Sequence, residues 1–499
     1  MIRYITSIIL MLNFSSLAAE RPNILVLISD DQNMDSIGAY GARYKTPHID
    51  RLASEGIRHT RAYTTSSLCV PTRYSCLTGS YPSRSRNRYF KRYNYQPAIR
   101  NGAFFCEHDR TIVEALQESG YYTGISGKWH NDYHDLLPLH EIHQDADPND
   151  PSVKKMLNDS VRIQRKLIKS YGFDYAEHIV AGNVEDQYPK ALEHHNVEYV
   201  VKGALDFLNK APKSQPFFLW TAFTTVHGPR EPIQSGDITV TPEGYTDKAI
   251  GVMKKRSEIV KKHKNITEQT VVWMDEGIGV ILNELEKQGR LDNTLIVFLS
   301  DQQNTGKSTP YESGNNIPFI VRWPAGGLKA GLVNHTLVDV TDLAATIMDV
   351  ANAKPVEGLM LDGLSILPVW SGKTNELKRS IYTEIGYAKG VVTKDWKYIA
   401  IRYNDEVLDR GFNPNITGKV GENIAAGNLD LLWKKTPFGQ IKADVGCVDQ
   451  DQLYDLRMDP NEETNVIGDP KNAEVVKIMR QYLAEVVQDI GRPFGEFVD

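Results

Sequence analysis

The sequence predicts an α/β fold, with a large doubly wound and mostly parallel sheet followed by a smaller C-terminal α+β subdomain. Four short apolar runs lack the alternation of a half-exposed strand, and helical patterns lie between them. After about Gly372 the pattern changes to short alternating strands. The predicted organisation is a cleavable segment at 1–19, a large α/β domain at 20–372 and a subdomain at 373–499.

The first residues have the layout of a secretory signal. Arg3 supplies a positive charge, residues 5–14 form an apolar run, and small residues precede Glu20. The run is shorter than the ~20 residues that span a bilayer, and no later segment reaches that length. We therefore expect an exported protein, periplasmic or secreted, without a membrane span.

Each apolar run is followed by side chains capable of chemistry. The runs lie at residues 23–29 (NILVLIS), 121–125, 217–223 (FFLWTAF) and 294–300 (TLIVFLS). The residues that follow them are Asp30 and Asp31, then Lys128 and His130, then His227, and finally Asp301 and Gln302. Because ligands collect at the carboxyl ends of parallel strands, we expect these side chains to converge.

Helical patterns connect the runs, at residues 111–119, 197–209 and 268–288. This order of strand, helix and strand implies a doubly wound sheet. Further on, residues 390–403 alternate and residues 473–489 have the periodicity of an amphipathic helix. They predict a small antiparallel sheet with a packing helix.

The composition is that of an ordinary globular protein, with 41% hydrophobic and 24% charged residues among 499. A net charge of −6 argues against a protein whose whole surface binds nucleic acid. A core of this size needs no disulfide, but one or two bridges are possible among the four cysteines, Cys69, Cys76, Cys106 and Cys447. If a helix runs there, two turns or ~10 Å separate Cys69 from Cys76, too far for a bridge.

The carboxylates of Asp30, Asp31 and Asp301, with the amide of Gln302, form an all-oxygen ligand set. Such a set suits a hard divalent cation, with Ca²⁺ ahead of Mg²⁺ because it is large and rich in carboxylates. The adjacent Asp30 and Asp31 repel each other, and a bound metal would relieve that repulsion.

Positive charge is expected beside this metal. Lys128, Lys307 and Arg73 would hold a tetrahedral oxyanion, which indicates a phosphate or sulfate ester as substrate. Pro71 suits the first turn of a helix. Cys69 is then at or just before the helix N-terminus, where free N–H groups favour an anionic nucleophile or a bound anion.

The stretch CVPTRYSCLTG at residues 69–79 resembles the sulfatase signature Cys-x-Pro-x-Arg followed by Leu-Thr-Gly. The likeness continues in the Asp-Asp pair, GKWH at 127–130, VHGP, SDQQ and GKSTPYESG. These motifs stand in family order, and LYDLRMDPNEETN at 453–465 is similar to the family's C-terminal subdomain. The chain resembles the formylglycine-dependent type I sulfatases of the alkaline phosphatase superfamily.

The resemblance implies that a maturation enzyme converts Cys69 to formylglycine (3-oxoalanine). The modified residue would bind one Ca²⁺ together with Asp30, Asp31, Asp301 and Gln302, and its hydrated aldehyde would attack sulfur. Two positions depart from the usual pattern: Thr72 stands where serine is frequent, and Gln302 where asparagine or histidine is more common.

The resemblance also implies roles for the other candidate catalytic residues. Lys128 and Lys307 would hold the sulfate oxygens, and Arg73 the diol. His227 would protonate the leaving alcohol, and His130 would act as base when the aldehyde is restored and sulfate leaves.

The predicted substrate is a sulfated carbohydrate, a polysaccharide or its oligosaccharides. Residues 84–92 (RSRNRYFKR) hold five basic side chains, and would either bind further sulfate groups or form a solvated loop. Residues 131–190 form a long insertion, which we expect to shape the cleft. The histidines at 140 and 143 lack the spacing of a zinc motif, and no zinc is predicted. Sulfated algal galactans, ulvan and animal glycosaminoglycans are all candidate substrates.

Two other functions stay open at this stage. One is a phosphodiesterase or phosphonate monoester hydrolase of the same superfamily. The other is an inactive sulfatase-like protein that binds sulfated glycans. The complete set of candidate catalytic residues argues against the second, because binding alone does not require all of them.

Overall fold

A computed structural model describes residues 21–87, 103–132, 137–186, 189–229, 239–254, 256–377, 379–386, 388–402 and 449–491. The predicted signal at 1–19, Cys447 and the aromatic residues Tyr89 and Phe90 lie outside them.

The strands of the described residues belong to one large sheet, one four-stranded sheet and one short hairpin. They are β1 (Asn23–Ser29), β2 (Ile57–Tyr63), β3 (Tyr122–Lys128), β4 (Tyr175–Val180), β5 (Phe217–Ala222), β6 (Val240–Thr241), β7 (Gly244–Tyr245), β8 (Thr294–Ser300), β9 (Asn316–Arg322), β10 (Leu332–Asn334), β11 (Val338–Asp339), β12 (Ile381–Ile385), β13 (Ala388–Val392), β14 (Trp396–Ile401) and β15 (Asp451–Asp455).

The large sheet has the spatial order β10-β2-β9-β8-β1-β5-β3-β4, with β11 paired to β2. Strand β1 lies at its centre, parallel to β5 on one side and to β8 on the other, so that Val26 is level with Trp220 and Val297. Strand β9 is antiparallel to β8 and β2. The prediction of a mostly parallel sheet is confirmed, with β9 as the exception within this order.

Eleven α-helices lie in the described part of the chain, and helices among them cover both faces of the large sheet. They are α1 (Pro47–Ser54), α2 (Cys69–Thr78), α3 (Ile112–Glu118), α4 (Pro151–Lys169), α5 (Val197–Lys210), α6 (Arg256–Lys262), α7 (Ile266–Lys287), α8 (Glu312–Asn315), α9 (Val340–Ala351), α10 (Leu367–Trp370) and α11 (Ala473–Ile490). Apolar residues of α2, α3 and α9 pack on one face, and those of α1, α5 and α7 on the other. The predicted doubly wound arrangement is therefore confirmed.

Fully buried strands explain why the runs are apolar without alternation. Every residue of β1, β5 and β8 is buried, because helices cover both faces of the sheet. The predicted bounds of β1 and β8 match the structure, whereas β3 continues to Lys128. Lys128 is thus the last residue of a strand and not part of a following loop.

Strands β12 to β15 form an antiparallel sheet in sequential order, and α11 packs against it through Val476, Met479 and Leu483. The predicted C-terminal sheet and packing helix are confirmed. The proposed boundary at 372–373 falls in the chain between α10 and β12.

The C-terminal sheet is joined to the large domain by buried polar contacts. The Glu384 N–H donates to the Thr65 carbonyl at 2.8 Å, in the segment that leads into α2. The carboxylate of Glu384 accepts from the Ser83 N–H at 2.7 Å and from Lys389 Nζ at 3.0 Å. The small sheet therefore holds both flanks of α2.

A second contact joins β14 to α8. The fully buried Lys397 ammonium lies 2.9 Å from Glu462 Oε1 and 3.2 Å from Glu312 Oε1. Two carboxylates thus share one buried cation.

No helix among the described residues has the length and apolar character needed to cross a bilayer.

Candidate active site

Four neighbouring strands bring the predicted residues to one edge of the sheet. Strands β3, β5, β1 and β8 are adjacent in that order, and their carboxyl ends carry the acids, lysine and histidine. The Asp301 N–H donates to the Ser29 carbonyl at 3.1 Å, and the Asp31 N–H donates to Asp301 Oδ1 at 3.1 Å. The convergence expected from the parallel order therefore occurs for these residues.

The signature stretch forms helix α2, which begins at Cys69 with Leu68 as its N-cap residue. Every residue of the helix is buried. Cys69 and Cys76 are both free thiols on this one helix, as its length predicts. The Thr72 hydroxyl donates to the Ser66 carbonyl at 2.8 Å, so the residue at the usual serine position fixes the turn before the helix.

The Cys69 thiol lies inside the cluster of polar residues. Its Sγ is 3.6 Å from Asp30 Oδ1 and 3.2 Å from Gln302 Nε2. Burial raises the pKa of this thiol to about 12, although Lys128 and Lys307 act in the opposite direction. An unmodified Cys69 is therefore a thiol at neutral pH and a poor nucleophile.

Each carboxylate of the cluster has its own cation. Lys128 Nζ contacts Asp30 Oδ2, and Lys307 Nζ lies 3.0 Å from Asp31 Oδ2. Arg73 donates to Asp301 Oδ2 through Nη2 at 2.8 Å and Nε at 3.1 Å. The protein's own cations thus offset part of the repulsion expected between the adjacent acids.

These pairs set the protonation of the carboxylates. Burial raises the pKa of Asp30, but Lys128, His227 and Arg73 outweigh it and hold this pKa well below its ordinary value. Burial likewise opposes the effects of Lys307 and His227 on Asp31, whose pKa is lowered overall.

Asp301 behaves in the opposite way. Burial and the neighbouring charge of Asp30 raise its pKa to about 6, despite Arg73 and Lys128.

His227 bridges the cluster and its rim. Its Nε2 lies 2.8 Å from Lys307 Nζ and 3.6 Å from Asp31 Oδ2. Its Nδ1 lies 2.9 Å from the Gly228 carbonyl and 3.2 Å from Glu185 Oε1. Burial lowers the pKa of His227, but the surrounding carboxylates of Asp30, Asp31 and Glu185 raise it overall.

Three residues at this edge adopt left-handed backbone conformations that favour glycine. They are Asp31 (φ 59°), His130 (φ 64°) and Ser308 (φ 67°). Such conformations cost of order 1 kcal/mol or more and persist where the surrounding structure imposes them, frequently at functional sites. His130 is buried, and its backbone N–H donates to the Ala181 carbonyl at 2.9 Å.

The oxygen donors of this cluster fit a hard divalent cation. Ligand atoms of Asp30, Asp31, Cys69 and His227 lie within 4.8 Å of one another. Gln302 reaches this group, since its amide contacts both Asp31 and Cys69, and its buried Oε1 has no hydrogen-bond partner among the described residues. Rotation of that amide would add an oxygen to those of Asp30 and Asp31, as Ca²⁺ prefers.

Asp301 is less available for a metal than Asp30 or Asp31. Its Oδ1 accepts from the N–H groups of Asp31 and Gln302, and its Oδ2 accepts from Arg73. Its place in the ligand set stays a prediction.

Comparison with known proteins identifies the family. A model of the sulfatase family matches residues 22–353, about two thirds of the chain. This chain belongs to the sulfatase family. The resemblance read from its motifs is confirmed, and the protein is a sulfuric ester hydrolase.

The sulfatase is 28% identical over 379 residues to N-acetylgalactosamine-6-sulfatase of Canis lupus familiaris, a match that covers 71% of this chain and 67% of that protein. It is 25% identical over 488 residues to the ulvan-active sulfatase of Formosa agariphila, with 92% and 78% covered. A solved chain from work on glycosaminoglycan metabolism by Bacteroides thetaiotaomicron has a TM-score of 0.65 at 22% identity, with 94% and 99% covered. This last likeness supports the fold alone.

Sequence reasoning missed several polar residues of the sulfatase site. Asn183 Oδ1 accepts from Lys128 Nζ at 2.5 Å, and Asn304 Nδ2 donates to Asp31 Oδ2 at 3.2 Å. His195 Nε2 contacts the His227 carbonyl at 3.0 Å, and Glu185 contacts its ring. Asn183 and Glu185 belong to the long insertion that was expected to shape the cleft, although no local pattern marks them individually.

The basic stretch at residues 84–92 is only partly described. The Arg84 guanidinium is 2.7 Å from Asp362 Oδ1 and also contacts Asp489 of α11. Arg84 therefore connects α11 to the large domain, and in this arrangement its charge is already balanced. The residues of the stretch after Asn87 lie outside the described part of the chain.

Proposed function

We propose that this sulfatase removes sulfate from a sulfated carbohydrate, using a formylglycine made from Cys69 and one bound calcium ion. The observation that carries the proposal is the position of Cys69 Sγ, at the start of a buried helix and next to Asp30 and Gln302. A thiol with a pKa near 12 is a poor nucleophile in that position. A cysteine that is converted to an aldehyde has a clear function there.

Calcium would be held by Asp30, Asp31, Gln302 and the modified residue 69, with Asp301 as a further ligand. When bound, the ion supplies Lewis-acid stabilisation of the sulfate oxygens. The hydrate of the aldehyde supplies the hydroxyl that attacks sulfur and a second hydroxyl for release of sulfate.

The cations of the site would bind the sulfate group. Lys128 and Lys307 now contact Asp30 and Asp31, so their ammonium groups already lie at the cluster where a sulfate would sit. Arg73 is fixed by Asp301 and by the Lys128 carbonyl, and it would orient the group at position 69. Such fixed cations stabilise the charge that develops as the ester bond breaks.

Two histidines would move protons. His227 Nε2 faces the cluster and would protonate the leaving alcohol, and His130 would take a proton when sulfate is released.

The names of the relatives support a carbohydrate substrate. They include an N-acetylgalactosamine-6-sulfatase of Canis lupus familiaris and an ulvan-active sulfatase of Formosa agariphila. Sulfated galactans, ulvan and glycosaminoglycans all stay within the proposal. Residues 1–19 would direct export and be cleaved from the polypeptide, which leaves the catalytic domain at 20–372 and the subdomain at 373–499.

Mass spectrometry of the peptide that contains Cys69, from active protein, tests the modification. We expect the mass of the aldehyde or its hydrate, and an unmodified thiol throughout a fully active preparation would refute the mechanism. Cys69→Ala should abolish turnover and leave the thermal midpoint of unfolding nearly unchanged.

Rates on 4-nitrophenyl sulfate and 4-nitrophenyl phosphate test the substrate class. Faster turnover of the phosphate would favour a phosphate ester hydrolase instead. Binding of a sulfated glycan without turnover of any sulfate ester would favour the binding protein.

A further inference from the structure

Glu185 contacts the outer side of the His227 ring. Its Oε1 lies 3.2 Å from His227 Nδ1, and its side chain is 39% exposed. It belongs to a short helical turn, Val184–Asp186, in the long insertion after GKWH. We propose that Glu185 is a positioning residue that holds His227 for protonation of the leaving alcohol, an inference that rests on the proposed function.

The two nitrogens of the His227 ring have different surroundings. Nδ1 faces two oxygens that can only accept, the Gly228 carbonyl and the Glu185 carboxylate. Nε2 faces the Lys307 ammonium, which can only donate, at 2.8 Å. The hydrogen of the neutral ring is therefore on Nδ1, and Nε2 points into the cluster.

The main chain and the ring of His227 are held by different residues. His195 Nε2 contacts the His227 carbonyl at 3.0 Å, and His195 Nδ1 contacts the Thr224 hydroxyl at 2.8 Å. Glu185 acts on the ring itself. Its loss should therefore change the orientation of the ring without displacing the backbone.

The contact between Glu185 and His227 bears on the proton transfer that accompanies cleavage of the sulfate ester. Lys307 would contact a sulfate oxygen during the reaction, and Nε2 of the imidazolium could then carry a proton. As a hydroxyl of the hydrated aldehyde bonds to sulfur and the bond between sulfur and the ester oxygen breaks, the electron pair of the broken bond would go to the ester oxygen, which would take the proton from Nε2. The ring that remains has its hydrogen on Nδ1, which lies 2.9 Å from the Gly228 carbonyl and 3.2 Å from Glu185 Oε1. The carboxylate stabilises the ring in the orientation that donates and in the tautomer left afterwards.

A series of aryl sulfates from 4-nitrophenyl sulfate to phenyl sulfate tests the proposal. A good leaving group needs little help from an acid, whereas phenolate from phenyl sulfate needs more. We expect Glu185→Ala to lower kcat/KM for phenyl sulfate by about ten times more than for 4-nitrophenyl sulfate. Glu185→Gln, whose amide oxygen still accepts from Nδ1, should restore most of the difference.

Glu141→Ala is the matched control, since Glu141 is an exposed acid of the same insertion. It should behave as the parent enzyme on every ester. An equal loss on all esters in Glu185→Ala, or no loss, would overturn the assignment of Glu185. The His227→Ala enzyme distinguishes failure of the Glu185 proposal from failure of the proposed function. If its loss of kcat/KM is also independent of the leaving group, the role proposed for His227 itself is wrong.

Discussion

Arg73→Met should destabilise the protein strongly. The guanidinium is 1% exposed, and it donates to Asp301 Oδ2 at 2.8 and 3.1 Å and to the Lys128 carbonyl at 3.2 Å. Removing one partner of a buried ion pair leaves the other charge without compensation, at a cost of about 3–5 kcal/mol. Urea denaturation in the presence of a chelator, which keeps calcium out of the comparison, measures this free energy of unfolding.

The loss should depend on pH in a defined direction. Asp301 has a pKa of about 6 in the folded protein, above its ordinary pKa of 3.8, so its ionisation lowers the free energy of unfolding as pH rises between these values. Arg73 opposes this rise, and without it the folded pKa of Asp301 increases further. The loss in free energy of unfolding caused by Arg73→Met should therefore be larger at pH 8 than at pH 5. At pH 8 the buried Asp301 must either ionise without its cation or take up a proton from solution.

Arg322→Met is the matched control. Arg322 is also buried, but its partners Glu55 and Asp292 keep 36% and 75% of their side chains exposed. Water can replace the lost contacts, so we expect a loss below about 2 kcal/mol. Equal losses for the two variants, or a deficit of Arg73→Met that does not change between pH 5 and pH 8, would refute the reasoning.

Three further predictions follow from the contacts above. Calcium should raise the thermal midpoint of the chelator-treated protein, and Asp31→Asn should remove most of that gain in calorimetry; an equal gain in both would exclude ligation by Asp31. Cys76→Ala should cost about 1 kcal/mol in urea and leave sulfatase activity near that of the parent, because Cys76 only packs in the core. Lys397→Met leaves Glu312 and Glu462 without their buried cation and should cost about 3–5 kcal/mol, and a second change, Glu462→Gln, should recover part of this loss.

The sequence predicted the centre of the fold better than its edges. Strands β1 and β8 were predicted with their bounds because burial on both faces leaves an unbroken apolar run. Strand β2, with the sequence IRHTRAY, is only partly buried and carries charged residues, so no apolar run marks it. Strand β9 was missed as well, and its antiparallel direction follows from pairing that no local pattern shows.

The sequence likewise predicted some residues of the candidate site and missed others. Asp30, Asp31, Lys128 and Asp301 were found because each is at or just after the end of a strand. Asn183, Glu185 and His195 come from segments with no motif, and their positions depend on how the insertion packs.

The sequence predicted Lys128, Lys307 and Arg73 beside the metal site, but not which of them are the partners of Asp30 and Asp31. Those partners are Lys128 and Lys307, one from another strand and one from a distant loop.

The burial of Cys69 limits when an enzyme can reach it during synthesis and folding. Only 2% of its surface is exposed, and the Glu384 N–H holds the segment just before it. Glu384 is translated more than 300 residues after Cys69. The proposed maturation enzyme would therefore have to reach Cys69 in the nascent or unfolded polypeptide, before the C-terminal sheet is synthesised and packs beside it.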